Sequence, residues 1–176
     1  MWSQYLNGGV EQVITDLTHD GLKAVNTDGS VSVWRTIHRE PNKIDGVFEK
    51  EDGNQSTHQT FCWDDNKFRV AYYAPGEDSP YLTYVGVRKD TDTISVTRKW
   101  SDKEVSYEVV VKERQPDGKI AAYQCLTPEG TWNITLTYSD GGLLIQEDMV
   151  TPEGSGTMKY EYDENNILLI WHLNLG

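Results

Sequence analysis

The sequence predicts an all-β protein, an antiparallel up-and-down meander of about 10–12 strands that closes into a barrel. Three observations lead there. Turn-like tetrapeptides start at residues 115 (QPDG), 127 (TPEG), 139 (SDGG), 151 (TPEG) and 163 (DENN), one every 12 residues. The segments between them alternate in polarity with period two, which is the strand signature. No helix-length amphipathic stretch interrupts the pattern; VEQVITDL at 10–17 reads equally as a helical turn or a strand.

The elements follow in chain order. Residues 1–25 form an N-terminal segment, expected as a short helix or a lid, within a single domain spanning 1–176. From there the turn beat runs through NTDGS (26–30), REPNK (39–43), KEDGN (50–54), WDDNK (63–67), PGEDSP (75–80), RKDTDT (88–93) and WSDKE (100–104). With the five later turns this places about twelve strands between residues 31 and 173. In EVSYEVVV (104–111), Val105, Tyr107, Val109 and Val111 share a face. In TWNITLTY (131–138) the shared face is Trp132, Ile134, Leu136 and Tyr138, and in GTMKYEY (156–162) it is Met158, Tyr160 and Tyr162. Thr, Val, Ile, Tyr and Trp suit a pleated surface, and Pro, Asp, Gly, Asn and Ser suit tight reversals. So many strands cannot stay flat; the sheet twists and closes, which also removes its exposed edges. On that reading TPEG recurs because two turns, two strands apart, lie at the same end of the barrel.

The bulk composition narrows the function. Asp and Glu number 28 against 16 Lys and Arg, for a net charge of −12. Phosphate binding needs a basic face, so no nucleic-acid partner is expected. No apolar run reaches the ~18–20 residues of a membrane span, and MWSQYLNGGVEQ lacks the basic and apolar stretches of a signal peptide. The expected location is cytoplasmic. Cys62 and Cys125 are expected as free thiols. His19, His38, His58 and His172 are scattered without metal-ligand spacing, so neither a metal nor a cofactor is expected. No GxSxG, HExxH, P-loop or GxGxxG occurs. Nothing in the chain specifies an oligomeric state.

The cadence of YSDGGLLIQEDMVTPEGSGTMKYEYDEN (138–165) resembles the C-terminal hairpins of the calycin superfamily, the lipocalins and fatty-acid-binding proteins. The resemblance implies a calycin-like barrel around a cavity for a small molecule. Two departures limit it. NGGV at 7–10 lacks the Trp of the lipocalin Gly-x-Trp strand, and MKYEY at 158–162 carries Lys159 where fatty-acid-binding proteins carry an Arg-x-Tyr pair. Capture of a carboxylate by that pair is therefore not implied. Barrels of this shape also include small-molecule cyclases and isomerases, so the fold alone does not assign function.

Strand parity nominates the residues of a cavity. Tyr107, Tyr123, Trp132, Tyr138 and Tyr160 are the expected aromatic walls. Arg35 shares parity with Val31, Val33 and Ile37, and Arg98 with Ile94 and Val96. An inward cation needs a carboxylate, an aromatic face or an anionic ligand, so both are candidate anchors. Glu147, on the parity of Leu143, Ile145 and Met149, is a candidate general acid or base. The leading expectation is a barrel that binds a small, largely apolar or amphipathic molecule. The alternatives are a cofactor-free cyclase or isomerase using the same cavity, and a filled barrel that binds proteins. An inward Glu147 without a partner favours the enzyme, an apolar cavity the binder, and the absence of any cavity the protein-binding module.

Overall fold

The computed structural model describes residues 20–51, 53 and 55–176. The expectation for 10–17 lies outside the described residues. Among the described residues thirteen strands follow one another: β1 (Lys23–Val25), β2 (Val31–Glu40), β3 (Lys43–Lys50), β4 (Gln55–Trp63), β5 (Lys67–Tyr73), β6 (Leu82–Arg88), β7 (Thr93–Trp100), β8 (Lys103–Arg114), β9 (Ile120–Thr127), β10 (Gly130–Tyr138), β11 (Leu144–Thr151), β12 (Gly154–Tyr162) and β13 (Leu168–Leu175). Each pairs with its chain neighbours and β1 pairs with β13, closing the barrel. The fold is the all-β meander that the turn spacing predicts, with twelve strands from residue 31 onward. The thirteenth, β1, lies in the segment expected as a helix or lid.

That extra strand changes the closure. A closed ring of strands that simply alternate direction needs an even number. With thirteen, one neighbouring pair must run parallel, and it is β1 against β13, in the register Lys23↔Ile170 and Val25↔His172. On its other edge β1 is antiparallel to β2.

The turns explain the repeated motif. Gln115, Ser139 and Asp163 each donate a backbone N–H to the carbonyl four residues on, at 2.7–2.9 Å. The fourth residue of each turn is left-handed: Gly118, Gly142 and Asn166. These three lie at one end of the barrel. The two TPEG turns lie at the other end, and they touch. A Cβ on Gly130 would fall 2.5 Å from Cγ of Pro152, so the first TPEG turn needs its glycine to accommodate the second. Thr127 Oγ1 and Thr151 Oγ1 each donate to the carbonyl of the closing glycine.

More strands make a wider bore, and large side chains fill it. Trp34, Phe61 and Phe68 are fully buried, and Phe48, Tyr123 and Tyr160 join them with Leu22, Ile44, Ile94, Ile120, Ile134, Leu136, Leu144 and Leu168. Trp34 packs edge-on to Phe48 and Phe61, at 5.1 and 5.9 Å between ring centroids. The predicted faces of β10 and β12 point into this core, as do Tyr107, Val109 and Val111 of β8.

Parity fails on β2. Its inward residues are Ser32 and Trp34, both buried, while Arg35 and Ile37 are exposed. The expectation of an inward Arg35 is corrected. Three β-branched residues outlined the outer face, but the single large Trp34 fills the interior, and volume rather than the count of apolar residues decides burial. No helix among the described residues is long and apolar enough to cross a membrane, a statement that does not bear on strands.

Candidate functional site

The barrel is not filled to its rim at the TPEG end. A cavity of about 210 Å³ lies there, lined by Tyr72, Tyr84, Arg98, Trp100, Val105, Tyr107, Thr127, Glu129 and Trp132. It is built from β5 to β10, whose ends the turns after Tyr73, Trp100 and Thr127 gather at one mouth. Arg98 reaches it because β7 alternates strictly: Ile94 and Val96 are buried below, and Arg98 and Trp100 continue the same face upward. The pairing Tyr84↔Arg98↔Val105 sets Arg98 between β6 and β8 at one level.

The guanidinium is placed but not satisfied. Its Cζ lies 4.5 Å from the Trp100 ring and 5.8 Å from the Tyr84 ring, both cation–π distances. Its Nε is buried and has no hydrogen-bond partner among the described residues. A buried N–H of a charged group without an acceptor is costly, which makes Arg98 a candidate contact for a ligand; Trp171 Nε1 is a second buried donor without a partner among the described residues. Around it the walls are hydrophobic and reluctant to ionise. Burial raises the Tyr72 phenol well above its ordinary value. Burial also raises Tyr84, against the opposing pull of the Arg98 charge.

Deeper in the barrel lies a second polar cluster. Glu147 turns inward, where Tyr160 Oη donates to Oε1 at 2.6 Å and Tyr123 Oη approaches Oε2 at 3.4 Å. The Tyr160 hydroxyl also lies 3.0 Å from Met158 Sδ. Burial first, and the Glu147 carboxylate second, raise both phenols well above their ordinary range. The same two causes push the Cys125 thiol up to about 12. This is a tightly held carboxylate among neutral hydroxyls. Glu147 gets there by a β-bulge: Tyr138 pairs with Leu144 while Thr137 pairs with Gln146, which leaves Ile145 as the extra residue. Leu144, Glu147 and Met149 therefore share the inner side, and Ile145 is exposed, so the expected grouping of Glu147 with Ile145 is corrected.

Of the candidate residues, the mouth cavity brings together Arg98, Tyr107 and Trp132. Tyr123 and Tyr160 belong to the Glu147 cluster below. Tyr138 sits at the opposite end, where its hydroxyl donates to the Ile120 carbonyl at 2.8 Å and Lys119 Nζ stands 5.7 Å over its ring. Arg35 is outside the barrel, paired with Glu49 at 2.6 Å. Sequence reasoning missed Tyr72, Tyr84, Trp100 and Glu129. Trp100 was within reach, since it stands two residues beyond Arg98 on the same parity. Tyr72 and Tyr84 also alternate with buried or core-packed positions, but only the register shows that they surround Arg98.

The two cysteines are free, Cys125 buried and Cys62 partly so. Among the described residues no group of three or more His, Cys, Asp or Glu side chains is arranged to hold a metal ion. His38 and His172 pair with Glu40 and Glu161 on the outer surface, at 3.0 and 2.6 Å. A larger groove of about 790 Å³ runs outside the barrel, lined by Val25, Ile145, Lys159 and His172 among others. Its charged side chains face solvent, whereas the smaller mouth cavity is lined by Arg98, one of two residues with a buried, unpartnered donor among those described. No protein-family model and no curated protein matches this chain.

Proposed function

We propose that this barrel binds a small amphipathic molecule in its mouth cavity, with Arg98 as the polar anchor and Tyr72, Tyr84, Trp100, Tyr107 and Trp132 as the walls. One observation carries the reading: the buried Nε of Arg98 lacks an acceptor within an aromatic pocket. Ligand sites combine mostly apolar walls with a few placed polar groups in this way. At about 210 Å³, the cavity is smaller than the ~300–1,000 Å³ typical of drug-sized ligands. The ligand is correspondingly small.

A calycin-like architecture is part of this proposal. The likeness is to a closed barrel open at one end, with thirteen strands in place of the eight of lipocalins. Glu147 is inward but already accepts from Tyr160, which supports binding over the cyclase or isomerase alternative. The cavity supports binding over a filled, protein-binding barrel.

Trp100 and Trp132 make the test direct. The full chain is titrated with indole, benzoate and phenylacetate while tryptophan fluorescence is followed. A saturable change is expected for at least one probe, and Trp132→Ala should abolish or weaken it in a variant with unaltered circular dichroism. The absence of any saturable response from the folded wild type, to aromatic, carboxylate and ammonium probes alike, would overturn the reading.

A further inference from the structure

Resting on the reading that the mouth cavity binds a small molecule, we propose that its ligand is a small zwitterion, held by a carboxylate on Arg98 and an ammonium group beside Trp132 and Glu129. The pocket has two charged side chains of opposite sign, and they come from different parts of its wall. Arg98 belongs to β7, where its guanidinium lies against Trp100 and Tyr84. Glu129 belongs to the turn between β9 and β10, and Trp132 stands three residues on in β10. Strand β8 intervenes, contributing Val105 and Tyr107. Strands are ~4.8 Å apart, so the two poles stand about 10 Å from each other along the wall, and both line the same small space.

Each pole suits one end of such a ligand. The buried Nε–H of Arg98 needs an acceptor, and a carboxylate matches guanidinium geometry best. At the other pole Glu129 lines the same pocket as Trp132 and Tyr107, and a carboxylate together with aromatic rings is the combination that favours a quaternary or protonated ammonium group. The whole chain points the same way. At a net charge of −12 it repels a bare anion on approach, whereas a zwitterion carries no net charge and its cationic end is attracted. Size agrees: about 210 Å³ is the space of roughly seven waters at ~30 Å³ each, enough for a short chain bearing two charged ends.

The test uses full-length protein, with tryptophan fluorescence and calorimetry as readouts. The probes are a graded series of trimethylammonio carboxylates, the matching carboxylates without the ammonium group, and tetramethylammonium. The best zwitterion is expected to bind at least about tenfold tighter than either single-charge relative. Arg98→Gln should weaken zwitterions and carboxylates alike, by about ten- to hundredfold. Glu129→Gln, at an exposed turn position, should weaken only the zwitterions. Carboxylates that bind as tightly as the zwitterions, or a preference unchanged in Glu129→Gln, would overturn the zwitterion while leaving the pocket standing. Binding of the aromatic fragments without binding of the zwitterions would do the same. Silence from every probe would overturn both readings.

Discussion

Replacing Arg98 with methionine should remove ligand binding and leave the free barrel more stable than before. The guanidinium Nε is buried without an acceptor, and an unsatisfied buried donor costs about 1–3 kcal/mol. The cation–π contacts to Trp100 and Tyr84 return about 0.5–2 kcal/mol. Methionine keeps the aliphatic stem against the same rings, and its thioether makes sulfur–aromatic contacts of about 0.3–1.5 kcal/mol. Those two ring terms nearly cancel, so relief of the unpaired donor leaves a net gain of about 1–2 kcal/mol. For a chain of this size that raises the melting temperature by about 2–8 °C. Arg98→Ala is the contrast, because it also removes the packed stem and should lose stability. Thermal melts of the ligand-free proteins, followed by circular dichroism, decide the matter alongside the fluorescence titration. A fall of more than about 4 °C for Arg98→Met, equivalent to ~1–2 kcal/mol, would show that the guanidinium is satisfied where it stands and is not an anchor awaiting a ligand.

Two further outcomes follow from the interior. Cys125, Tyr123 and Tyr160 all hold their protons more tightly in the barrel than in the unfolded chain. Their contribution is complete below the unfolded pKa values and is lost as pH rises, between 9.0 and about 12 for the thiol and from 10.0 upward for the phenols. Within those windows stability should fall by about 1.4 kcal/mol per pH unit per group. Urea melts at pH 8, 10 and 11 measure it, and a flat profile would contradict the buried, raised thiol and phenols. Gly46→Ala is the packing test: a Cβ there would collide with the indole of Trp34, which is 1% exposed. The expected loss is about 1–3 kcal/mol, read from denaturant midpoints, and a neutral result would mean that Trp34 has room to shift.

Much of the site was legible in the residues and part was not. Arg98 was readable because β7 runs from Thr93 to Trp100 without a bulge and its inner face carries Ile94 and Val96. Arg35 was misread because the apolar residues of β2 lie mainly on its outer face, with the one bulky inward residue, Trp34, on the opposite parity. Glu147 was placed inward, but its expected neighbour Ile145 was not, since the bulge in β11 shifts parity by one position. A period-two pattern carries no mark of an extra residue. Glu129 gave no sign of its place at all. It reads as an ordinary turn residue until the turn is set over the mouth.

By itself the sequence determined the strand and turn rhythm from residue 26 onward, because local alternation and turn chemistry are written residue by residue. It also determined which end of the barrel each turn occupies, since strand direction reverses at every hairpin. The tertiary structure alone decided the closure, with β1 inserted parallel to β13 to complete an odd-numbered ring. It also decided which aromatics would fill the bore and which would form the pocket. Tyr138 and Tyr107 look alike in their strands, yet one caps a carbonyl at the far end and the other lines the mouth. Their difference is height along the barrel axis, which depends on the stagger of all thirteen strands together and on no single segment.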